Sequence, residues 1–160
     1  SKEQPERVRF FTDGTAYPNQ AVIEFTDHAT IELECFRVSP DGSRRALWSD
    51  TLSPYSDGLG NTILIEANPE LTFRGRGSPS FSHAIGVDPS EINLSTRGHS
   101  ASLKPSNVVW YCLLKVDGSS NLLNPDIVPT LPEGIEDVEA AAKANGCDAI
   151  VLVASVVTSE

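Results

Sequence analysis

The chain has 160 residues, 12 Lys and Arg against 22 Asp and Glu for a net charge of −10, with 39% hydrophobic and 21% charged residues. That composition folds as one globular domain and excludes a disordered tail, a collagen and a coiled coil. An anionic chain repels nucleic acid and acidic lipid, so no nucleic-acid partner is expected, and the longest apolar run, Ala149–Ala154, is far short of the ~20 residues that span a bilayer, so neither is membrane insertion.

In chain order, short strands separated by turn signals dominate. Val8–Phe11 runs into Thr12-Asp13-Gly14, and Ala21–Phe25 follows Pro18-Asn19. From Thr30 to Val38, Ile31, Leu33 and Cys35 alternate with Glu32 and Glu34, the period of a half-buried strand. Ser39-Pro40-Asp41-Gly42 is a turn, because Pro presets φ and Gly permits φ > 0. The chain then returns through Ala46-Leu47-Trp48, which makes Thr30–Trp48 a hairpin.

Ser49 to Asn61 reads as a polar loop with Pro54, Gly58 and Gly60. Thr62–Ala67 and Leu71–Phe73 are strands, and Gly75–Pro79 is a loop. Phe81–Val87, Ile92–Thr96 and Ser100–Leu103 are weaker strands. Asn107–Val116 is apolar on both faces and therefore central, and Asp117-Gly118 ends it.

Pro125, Pro129 and Pro132 punctuate a linker-like stretch. Gly134–Asn145 has acidic residues in its first turn, an Ala-rich middle and a Gly146 stop, so it is a helix. The apolar run Ala149–Val157 returns to the middle of the main sheet. The pattern predicts a mainly β fold: an antiparallel β-sandwich or barrel-like (jelly-roll-like) domain with one short C-terminal helix. Residues 1–160 form a single domain, with the helix and final strand of 129–160 packed on the main sheet. Its expected core is Phe25, Leu33, Cys35, Ile63, Ile65, Phe73, Trp110, Cys112, Leu114, Ile150 and Leu152.

Motifs that name a reaction are absent. Cys35, Cys112 and Cys147 are widely spaced, with no CxxC or Cys/His cluster for zinc; all three are expected reduced and at least two protected, with Cys35 and Cys112 inside apolar strand runs. Gly58-Leu59-Gly60 and Gly75-Arg76-Gly77 lack the sequel of a phosphate-binding loop, and the loop aspartates lack calcium-site spacing. No cofactor and no metal are expected. Asn93-Leu94-Ser95 is a formal glycosylation sequon. Methionine is absent, so Ser1 reads as the start of a piece of a longer polypeptide.

Two function classes remain. One is a small hydrolase in which His99 serves Ser100 with Asp117 as the orienting carboxylate. Its difficulty is that adjacent strand residues face opposite ways. The other is a non-enzymatic recognition module. Its expected contacts come from the loops Ser49–Asn61 and Gly75–Pro79, through Asp50, Tyr55, Asp57, Arg74 and Arg76.

The Phe11-Thr12-Asp13-Gly14 segment before a strand, and Phe36-Arg37-Val38 before a Pro-Asp-Gly turn, resemble the protruding domains of small RNA virus capsid proteins. The Ser-, Pro-, Asn-, Thr- and Gly-rich composition fits that resemblance. It implies a capsid-type surface domain on the virion that self-associates as a dimer or trimer and binds a host receptor or glycan.

Overall fold

The computed structural model describes residues 8–12, 20–25, 30–54, 60–75, 80–93, 98–100, 107–116 and 135–157. Ten strands form in this order: β1 (Val8–Thr12), β2 (Gln20–Phe25), β3 (Thr30–Val38), β4 (Arg44–Leu52), β5 (Asn61–Ala67), β6 (Leu71–Gly75), β7 (Ser82–Ala84), β8 (Gly98–Ser100), β9 (Asn107–Leu113) and β10 (Ala149–Val157). A helix, α1 (Ile135–Asn145), precedes β10. The strands make two five-stranded sheets, ordered β1-β2-β5-β6-β7 (sheet A) and β4-β3-β10-β9-β8 (sheet B), with every pairing antiparallel.

Alternation explains the layering. Ile23, Phe25, Ile63, Ile65, Leu71 and Phe73 point from sheet A toward Ile31, Leu33, Cys35, Trp110, Cys112, Ile150 and Leu152 of sheet B, forming the inter-sheet core. All eleven expected core residues are buried. β10 is apolar on both faces for a reason. Ile150, Leu152 and Ala154 face the inter-sheet core, whereas Ala149 and Val151 join Val38, Val109, Tyr111 and Leu113 under Val138 and Ala142 of α1. The molecule is thus three layers deep where α1 covers sheet B, and β10 lies between β3 and β9 at the middle of that sheet.

The Thr30–Trp48 hairpin forms as β3 and β4. Its turn is closed by Gly42 N–H donating to the Ser39 carbonyl at 2.9 Å, with Gly42 at φ +91°, a conformation that disfavours a Cβ. The Asp41 carboxylate accepts from Ser43 N–H and Oγ at 2.9 and 2.7 Å, and these bonds hold it below its ordinary pKa. At the other end of the chain, α1 stops at Gly146, φ +63°, with Cys147 N–H donating to the Ala142 carbonyl at 3.1 Å.

Several boundaries differ from the sequence expectation. β4 continues through Leu52, because Trp48, Asp50 and Leu52 keep alternating inward against Cys35, Leu33 and Ile31; Ser49–Leu52 is therefore strand and not loop. β6 likewise runs on through Arg74 and Gly75. The Phe81–Val87 strand shrinks to Ser82–Ala84, and Ile92 makes an isolated bridge to Leu114 after a 3-10 turn, Pro89–Glu91, capped by Asp88. β8 covers Gly98–Ser100, and β9 ends at Leu113, leaving Val116 exposed.

Candidate functional site

At one margin of the sandwich the edge strands β4 and β7 face each other across the two sheets. Trp48 and Asp50 project from β4, and His83 projects from β7. The His83 imidazole stacks on the Trp48 indole with centroids 4.1 Å apart and planes 6° from parallel. Phe81 and Phe73 pack around the same rings, and Phe73 meets Trp110 edge to face at 5.8 Å. His83 Nε2 lies 3.0 Å from Asp50 Oδ2. The second oxygen of that carboxylate, Oδ1, accepts from Thr51 N–H at 2.8 Å. The His83 bond holds the Asp50 carboxyl below its ordinary pKa; partial burial opposes the shift and the Thr51 bond assists it.

Two residues apart on one strand face, Trp48 and Asp50 reach the same neighbour, as the strand period requires. Imidazole and carboxylate here form an inter-sheet clasp. Each group is half-buried and already engaged, the ring by stacking and the carboxylate by both oxygens.

The two outer faces differ. α1 covers sheet B, and Arg44 on β4 is ion-paired to Glu139 of the helix. Sheet A carries, on its outward alternate positions, Gln20, Val22 and Glu24 of β2, Thr62, Leu64 and Glu66 of β5, and Thr72 and Arg74 of β6. Val22 and Leu64 are directly opposite in register, so two half-exposed aliphatic groups sit together inside a polar surround. Glu66 accepts from Gln20 Nε2 at 2.8 Å and is ion-paired to Arg74.

Asp50 and Arg74, expected in recognition loops, therefore stand on strands; Tyr55, Asp57 and Arg76 lie outside the described residues. His99 and Ser100 occupy consecutive positions of β8 opposite Trp110 and Val109, while their side chains, and all of Asp117, lie outside what is described. Asn93 of the sequon is buried in the folded chain. The sequence offered no signal for the clasp, because Asp50 and His83 belong to different sheets and meet only through tertiary packing.

The thiols are unbridged and buried. Burial raises the Cys35 pKa far above its ordinary value, with Cys112 adding to the effect, and raises that of Cys147 to about 11. Cys35 and Cys112 face the same core, but β10 lies between their strands, and two inter-strand spacings of about 4.8 Å each put them beyond disulfide reach. Between the sheets a cavity of about 10 Å³, lined by Ala21, Ile65, Leu71, Ile92, Trp110 and Cys112 among others, has room for a single water. Among the described residues no cluster of three His, Cys, Asp or Glu side chains forms, and no helix is long and apolar enough to cross a membrane.

No protein-family model matches this chain, and no curated protein is similar to it at a significant level.

Proposed function

We propose that this chain is a non-enzymatic recognition module, a capsid-type surface domain that associates with copies of itself and with a host receptor or glycan. The observation that supports it is the unequal dressing of the two sheets. Sheet B is capped by α1, while sheet A presents Val22 and Leu64 at the centre of a polar frame of Gln20, Glu24, Thr62, Glu66, Thr72 and Arg74. An apolar centre within a polar rim is the anatomy of a protein interface. Arg74, singled out from the sequence as a contact residue, belongs to that rim.

Sedimentation velocity on the purified domain tests this. The wild-type protein is expected to associate with rising concentration, and Leu64→Asp to remain monomeric with an unchanged circular dichroism spectrum. A wild-type protein that stays monomeric and binds no partner through this face overturns the proposal. So does esterase or protease activity that disappears in His99→Ala, which would install the hydrolase in its place.

A further inference from the structure

We infer that the Asp50 carboxylate is a gate on the open edge of β4, keeping that strand from adding to the β4 of a second copy. Among the described strands β4 is one of the two outer strands of sheet B and, at nine residues, longer than the other edge strands β1, β7 and β8. An unpaired edge of that length is a template for strand addition unless something blunts it.

The hydrogen-bond alternation shows where β4 is open. Leu114 N–H donates to the Asp148 carbonyl at 2.8 Å, which sets the phase of the β9–β10 ladder. Closely and widely spaced pairs alternate along an antiparallel ladder. Carried across β10 and β3 through their registers, that phase turns the main-chain groups of Ile31, Leu33 and Cys35 toward β4. Their partners Leu52, Asp50 and Trp48 answer them, so Ser49 and Thr51 direct their N–H and C=O groups outward.

The Thr51 donor is the one that Asp50 Oδ1 occupies, at 2.8 Å. Oδ2 of the same carboxylate is held by His83 of the opposite sheet, which orients the cap. The near end of the strand is closed by other means: Leu47 is an extra residue between the Cys35–Trp48 and Phe36–Ala46 pairs, a bulge that breaks the edge, and Arg44 is tied to Glu139. The Ser49–Leu52 half keeps an unbroken register with β3, and there Asp50 is the blocking group. A second copy is the occupant because it offers the same half-edge, and two such edges pair antiparallel about a two-fold axis. With aspartates in place, that two-fold would set Asp50 of one copy near Asp50 of the other, a repulsion that adds to the cap.

The inference is independent of the role proposed for sheet A, so the variants are built on Leu64→Asp, which removes that face. Asp50→Ala is expected to dimerise in sedimentation velocity, its mass rising toward twice that of the parent with concentration. Asp50→Asn retains the oxygen acceptor for Thr51 N–H and is expected to associate less than Asp50→Ala. Adding Thr51→Pro, which deletes the outward N–H and is tolerated on an edge strand, should return Asp50→Ala to monomer. Gly75→Ala strains sheet A at the Phe81 ring while keeping the Asp50 carboxylate and the Thr51 N–H, and should stay monomeric. A monomeric Asp50→Ala that keeps its native circular dichroism overturns the inference. So does association that survives Thr51→Pro or that appears equally in Gly75→Ala.

Discussion

The Trp48 indole and the His83 imidazole lie face to face at 4.1 Å, one ring from each sheet, and this pair closes a margin of the sandwich. The ring stack orients His83 so that its Nε2 reaches Asp50. A single contact thus couples aromatic packing to a polar bond.

Removing the imidazole loses both. His83→Ala is expected to lower unfolding stability by about 1–2 kcal/mol, the sum of an aromatic pair and a partly exposed hydrogen bond to a carboxylate. His83→Phe keeps the stack and should lose about half as much. Urea unfolding of the three proteins measures the difference.

Acid should weaken the clasp. The folded Asp50 carboxyl titrates below its ordinary value of 3.8, chiefly because His83 bonds to it. A depressed folded pKa contributes stability above the unfolded value, and that contribution is lost as pH falls through the folded one. Stability measured by denaturant from pH 6 down to about 3 should therefore drop with a shallower slope in Asp50→Asn than in the parent. Equal slopes would show that the carboxylate gains nothing from His83. Asp41, also depressed, contributes in the same window in both proteins and cancels from the comparison.

The inter-sheet core was largely legible in the sequence, because Ile31, Leu33 and Cys35, or Ile63 and Ile65, alternate with polar or outward residues at the strand period. β10 was legible for a different reason: an apolar run with no polar face must be covered on both sides. What the sequence hid was polarity used inside a strand. Ser49, Asp50 and Thr51 look like a loop, since nothing local says that Asp50 will find His83 across the sandwich or that its other oxygen will cap the chain beside it. Residues 33 apart on edges of different sheets leave no periodic trace.

Gly75 illustrates a constraint of space. A Cβ there would lie 2.4 Å from Phe81 Cε1 and 2.7 Å from the Thr62 carbonyl oxygen, and the latter is main chain of the paired strand. Gly75→Ala is expected to cost about 1–3 kcal/mol, the range for overpacking, and to disturb the Phe81 ring. Thermal unfolding with the Phe81 ring signals followed by NMR tests both.

Thiol chemistry offers a probe of the whole core. Cys35 and Cys112 are fully enclosed and Cys147 nearly so. Native protein should react slowly with a thiol reagent, Cys147 first, and all three cysteines should react rapidly once urea unfolds the chain. Rapid labelling of Cys35 in the folded protein would contradict its place between the sheets.

The position of β10 has a consequence for how this molecule is made. Sheet B is zipped together from β3 near one end of the chain and β9 far along it, with the strand that joins them emerging from the ribosome after both. Until Ala149–Val157 arrives, β3 and β9 each offer a bare apolar edge and α1 has no sheet to lie on. Sheet B must therefore wait for β10 and fold through contacts between distant segments, a slow route. A nascent chain stalled before β10 would be recognised by chaperones and proteases as unfinished.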